Sequence, residues 1–222
     1  LSATTFVGSV PLPAPVTVSD PLPSQYTHAF EAPYVQLLRN MDAGDFGALT
    51  GAETFIVVLG VRPPAPPSSG YSVHTGSSAG GYGYSVKGLG AYSPMGTLVG
   101  ALTHFGTSAV LANRYDASAI SIGQAALIGS EIVRVEAWNP TTFTLTIGRG
   151  CMDTIPAVHA IGSEVWFFQD FFGPDETPYA EGDTINGRVL PRTSSGVLAS
   201  ALADPTAVLM AGRHPRPYPP GQ

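Results

Sequence analysis

The sequence predicts a mainly β fold: a β-barrel or sandwich domain with short helices and long loops. Three observations predict it. Gly and Pro make up about a fifth of the 222 residues, well above their usual share of roughly 12%. Charged residues supply only 12%, about half the usual share. In the second half of the chain, apolar residues alternate with threonines at period two. Many short strands joined by turns suit this composition. A helical bundle, which needs charged solvent faces, does not. The length allows one large β domain or two small ones.

Residues 1 to 25 hold Pro11, Pro13, Pro15, Pro21 and Pro23 and read as an extended arm. Residues 33 to 41 predict a helix: Pro33 suits a first turn, and Tyr34, Leu37, Leu38 and Met41 recur at helical spacing. Asp42, Gly44 and Gly47 are expected to end it. The apolar run 54 to 61 reads as a buried strand, stopped by Pro63 and Pro64. Residues 68 to 92 suggest a loose hairpin around Gly80-Gly81, carrying Tyr82 and Tyr84. Residues 95 to 111 fit helix or strand equally.

Ser118 to Ile122 alternates, and Ala125 to Ile128 is apolar throughout. Val133, Val135 and Ala137 share one strand face, and Asn139-Pro140 marks a turn. Phe143, Leu145 and Ile147 then alternate with Thr142, Thr144 and Thr146, a strong hairpin signal. Val165 to Phe168 is a further strand, with a long loop over 148 to 162 before it. Strand signals return at 184 to 190 and 207 to 210. The expected organisation is an arm plus mixed α/β segment over 1 to 112, a β-barrel over 113 to 212, and a proline-rich linker over 213 to 222.

The formal charge is −6, and Lys87 is the only lysine beside nine arginines. No basic stripe supports nucleic-acid binding, sequence-specific or otherwise. Sparse charge fits a surface covered by neighbouring subunits, and fits equally a GC-rich coding bias against lysine. Cys151 is alone, so no disulfide framework is expected. No apolar run reaches the roughly 18 residues of a membrane span. The start at Leu1 does not read as a signal peptide and suggests a segment of a longer polypeptide.

Most signals for chemistry are weak. His28, His74, His104, His159 and His214 form no pair with metal-ligand spacing, so no metal or other cofactor is expected. Cys151 and His159 are eight residues apart, which permits a thiol–imidazole pair. The plain reading is a cysteine packed as a small hydrophobe. Asp170, Asp175, Glu176, Glu181 and Asp183 cluster, interrupted by Pro174 and Pro178, and read as a solvated acidic loop. Gly80-Gly81-Tyr82-Gly83 lacks the rest of a phosphate loop. Trp138, Tyr82 and Tyr84 are candidates for a sugar-binding surface, whereas Trp166 belongs to a core strand. In the long loop, Arg149 has a rigid fork of donors that Asp153 can accept, tying its neck. Gly148, Gly150 and Gly162 permit unusual backbone conformations. His159 can close the other end on a backbone carbonyl.

The stretch Glu131-Ile132-Val133-Arg134-Val135, then Thr144-Leu145-Thr146-Ile147-Gly148-Arg149-Gly150, Asp153-Thr154, Pro156-Ala157, His159-Ala160 and Gly162, resembles a module of phage tail tip proteins. These are the hub or central baseplate proteins of long-tailed phages and gene transfer agents. The resemblance covers about residues 118 to 168; Glu31-Ala32-Pro33-Tyr34 and Arg216-Pro217-Tyr218-Pro219-Pro220-Gly221 add to it. A tube-like strand pattern is not visible in residues 1 to 110. The resemblance implies β-barrel domains in a ring of three copies at the distal tip of the virion tail. Tube and baseplate proteins would lie above, with fibres or receptor-binding proteins below, and no catalytic residues come with the motif. The expected function is therefore structural, not enzymatic. The alternative is a receptor- or glycan-binding module of a tail fibre. The motif residues Arg149, Gly150, Asp153, Thr154, Pro156, His159 and Gly162 are expected to shape the loop or a subunit contact.

Overall fold

The run Ile56-Val57-Val58-Leu59-Gly60 is the central strand of the molecule, and both of its faces are buried. That is why it is apolar at every position rather than at alternate ones. The computed structural model describes residues 20–33, 42–49, 52–168, 173–175 and 177–213. In chain order its strands are β1 (Thr27–Glu31), β2 (Glu53–Thr54), β3 (Ile56–Gly60), β4 (Gly70–Ser77), β5 (Ser85–Gly90), β6 (Met95–Leu98), β7 (Ser108–Tyr115) and β8 (Ala125–Ile128). They continue with β9 (Glu131–Asn139), β10 (Thr144–Cys151), β11 (Glu164–Phe167), β12 (Gly173–Pro174), β13 (Tyr179–Ala180), β14 (Thr184–Thr193), β15 (Gly196–Val197) and β16 (Thr206–Leu209). The fold is mainly β, as the composition predicts.

Fourteen of these strands form three layers, and β2 pairs with β13 in a separate two-stranded sheet. Strands β10, β7, β6, β11, β8 and β9 pair in that order, and β9 closes on β10 as a barrel. Strands β1, β3 and β12 make a small middle sheet. Strands β15, β14, β4 and β5, with β16 on β14, make the outer sheet. Leu98, Leu111, Ile128, Val133, Val135, Leu145, Ile147 and Phe167 fill the barrel. On its outside, Met95, Ala125, Leu127, Ile132 and Trp166 meet Phe30, Phe55, Val57 and Leu59 of the middle layer. Ile56 and Val58 point the other way, onto Tyr71, Val73, Ile185 and Val189. Strand β8 repeats the logic of β3: Ala126 and Ile128 face inward, Ala125 and Leu127 outward. The layers touch closely enough to dictate glycines. A Cβ on Gly187 would lie 2.8 Å from a Val58 methyl, and one on Gly90 would lie 2.4 Å from the Tyr71 ring.

Several expectations need correction. The barrel runs from Met95 to Phe167, so a boundary at 112/113 would cut β7, and β14 and β16 belong to the outer sheet. Residues 95 to 111 supply two barrel strands and the loop between them. Ser118 to Ile122 is not a strand. Asp116 has φ 45°, which breaks the extended chain, and Ala117–Ala119 form a 3₁₀ turn. Strand β10 continues to Cys151, so the irregular loop starts at Met152. Residues 34 to 41 of the expected helix lie outside the described residues. The residues expected to end it lie in or beside a single helical turn, α1 (Ala43–Gly47). Most of the proline-rich arm and linker also lies outside the described residues.

Candidate functional site

The turn Gly129-Ser130 leads from β8 into β9, whose first residue is Glu131. Its side chain is fully enclosed, so an ionised carboxylate there needs partners. It has five N–H donors. Arg149 grips it with both arms of its fork, Nε to Oε1 at 2.7 Å and Nη2 to Oε2 at 2.7 Å. The backbone N–H of Gly150 donates to Oε1 at 3.1 Å, and that of Ala157 to Oε2 at 3.0 Å. His159 Nε2 lies 2.8 Å from Oε2 and serves as donor to the carboxylate. Burial pushes the Glu131 carboxyl up, but Arg149, Ala157, His159 and Gly150 together hold it down at about 2.

The same residues lace two loops together at one end of the barrel. Arg149 Nη1 donates to the carbonyls of Thr103 and Gly106, both at 2.7 Å, and Nη2 to that of Ala157 at 2.6 Å. Leu102 and His159 exchange backbone hydrogen bonds of 2.8 and 2.9 Å. His104 Nδ1 lies 3.0 Å from the Pro156 carbonyl. Thr154 Oγ1 donates to the Cys151 carbonyl at 2.6 Å and accepts from Ile132 N–H at 3.0 Å. Gly150 has φ 62°, and a Cβ there would lie 2.8 Å from Pro156 Cδ. Gly162 has φ 83° and returns the chain to β6 through its N–H to Leu98.

On this rigid base stands an apolar rim. Phe105, Ile155, Val158 and Ile161 are 93%, 80%, 59% and 70% exposed. Neither 99–107 nor 154–163 contains Asp, Glu, Lys or Arg. These large apolar side chains are held in water on a locked scaffold.

No family model and no curated protein matches the chain.

The Arg149–Asp153 tie expected from sequence does not form. Arg149 turns inward to Glu131, whose enclosed carboxylate accepts from both arms of the fork. Asp153 instead pairs with Arg213, whose Nη2 and Nε reach it at 2.6 and 2.9 Å. Arg213 also donates to the Met152 carbonyl, and Glu31 accepts from Ala211 N–H at 2.8 Å and from Arg213 N–H. This second clasp ties the loop to β1 and to the chain leaving β16. Met152 and Asp153 have φ 49° and 68°, a strained conformation that the clasp holds. His159 bonds a carboxylate with its ring, not the carbonyl expected. Glu131 is the residue that sequence reasoning left out of the site. Its signal was an acid opening an apolar strand, and counting back from Asn139-Pro140 brings it near the level of Arg149.

The other candidates fall elsewhere. The Cys151 thiol lies 3.7 Å from the Gly148 carbonyl, and burial pushes its pKa up, away from the thiolate. His159 is engaged with Glu131. Trp138 is half-buried against Phe143 on the barrel, whereas Tyr82 and Tyr84 sit on the β4–β5 hairpin of the outer sheet, so the three share no surface. The Tyr84 ring is covered by the Arg188 guanidinium at 3.9 Å, and Tyr82 is exposed. Trp166 is core, as expected. Asp175 is not solvated. It is buried and accepts from Tyr179 OH at 2.6 Å and Thr75 Oγ1 at 2.8 Å, and burial pushes the tyrosine up. Among the described residues, no group of three His, Cys, Asp or Glu could share a metal ion, and no helix is long and apolar enough to cross a membrane.

Proposed function

We propose that the chain is a structural module of a bacteriophage tail tip or baseplate hub, placed at the distal tail of the virion. The observation that carries this reading is the Glu131 knot. The residues of the tail-tip-like motif, Arg149, Gly150, Thr154, Pro156, His159 and Gly162, converge on one loop system. Their polar groups are consumed in holding its shape. What the knot offers outward is apolar and unreactive, as an assembly surface needs. In this reading the rim meets other copies of the chain, tube and baseplate proteins, or a fibre or receptor-binding protein.

The test is immunogold electron microscopy of purified particles with antibody against this chain. Gold at the distal tip is the expected result. Gold along fibres would move the assignment to the receptor-binding module. Absence of the chain from a denaturing blot of the same particles would end the virion reading.

A further inference from the structure

A second feature lies away from the barrel, on the outer sheet. A cleft of about 270 Å³ opens between the β4–β5 hairpin and the segment 177–183. Ser77, Ser85 and Lys87 line one side, Thr177 and Asp183 the other, and bare backbone is exposed at Gly83. Its walls are held at fixed separation. Thr75 on β4 and Tyr179 on β13 both bond Asp175, and Ser78 and Thr184 join by two hydrogen bonds of 2.9 and 3.0 Å. A preformed cleft spares a ligand the cost of ordering it.

The lining selects a chemical class. An apolar ligand would bury these hydroxyls without partners. An anion would meet Lys87 but also Asp183, with buried Asp175 behind. One ammonium, one carboxylate and several hydroxyls instead match a molecule whose own hydroxyls both donate and accept. Among the described residues neither Lys87 nor Asp183 has an ion-pair partner, so both heads are available. The volume is near the lower end of ligand pockets, about 300 Å³, and suits a single ring. We propose that this cleft binds one neutral saccharide ring. The inference stands apart from the tail-tip reading and survives or fails without it.

The test is saturation-transfer difference NMR on the full chain, with glucose, galactose and N-acetylglucosamine as separate probes at millimolar concentration. Transfer to at least one sugar is expected, falling at least about fivefold in Lys87→Ala and in Asp183→Asn and persisting in Trp138→Ala. Among the described residues neither cleft side chain has a hydrogen-bond partner, so both variants should melt with the parent protein, and melting curves verify this. No transfer to any probe, or transfer undiminished in both variants, would overturn the proposal. So would displacement of the sugar by inorganic phosphate, which would mark an anion site.

Discussion

Glu131 is a buried acid whose stability contribution depends on its charge. Removing a carboxylate from water costs several kcal/mol, and the five donors around it must offset that cost. Together they hold its pKa down at about 2. Because the folded value lies below the ordinary 4.5, the contribution is fully present above about pH 4.5 and is lost as pH falls towards 2. The shift corresponds to about 3 kcal/mol. Urea unfolding across that window should therefore show stability declining in the parent protein. In Glu131→Gln the decline should be smaller by about that amount. At pH 7 the variant should already be weaker by about 3–5 kcal/mol, since the glutamine amide turns a donor towards Arg149 and leaves a guanidinium unmatched. A variant with the parent's pH dependence would show that the carboxylate is not held as described.

The second clasp makes a separate prediction for residues. Asp153 and Arg213 are each 17% exposed in their side chains, so their pairing is shielded but not dry. Asp153→Asn, which keeps a residue tolerant of positive φ, should weaken the fold by about 2 kcal/mol. Arg213→Ala should do about the same. The double variant should be little worse than either, because both remove one interaction. Additive losses in thermal melts would mean the two side chains act separately.

At the scale of elements, legibility followed burial. The hairpin of β9 and β10 was readable because one face lies in the barrel and the other meets water, so period two survives in the sequence. Strands β3 and β8 read as continuous apolar runs because they are covered on both sides. Strand β7 was hidden: Ala109 and Leu111 point inward, but Val110 between them is 42% exposed and blurs the alternation. The loop was recognisable by its residues but not by its bonds, since Arg149 had two acids within reach along the chain and only the fold decides between them. The element's shape depends on Gly150, with φ 62° and Pro156 against it. Gly150→Ala should cost about 1–3 kcal/mol and raise amide exchange in 149–159, while exchange in β4 and β14 stays unchanged. Uniform acceleration across all strands would assign the loop no local role.

For the whole molecule, β3 is the strand that both cores share. Val57 faces the barrel and Val58 faces the outer sheet, from neighbouring positions of one strand. Neither layer can be removed without exposing half of this strand to water. The expected division into a segment over 1 to 112 and a barrel over 113 to 212 leaves room for two independent cores, and a chain of this length built so would unfold in two steps. A shared central strand predicts one. Calorimetry should give a single transition whose van't Hoff and calorimetric enthalpies agree. Val57→Ala and Val58→Ala should each lower that transition by about 2 kcal/mol, although they open cavities on opposite sides of the sheet. Two transitions, with Val57→Ala shifting one and Val58→Ala the other, would mean that barrel and outer sheet are independent. The middle sheet would then be an interface between domains rather than the core of one.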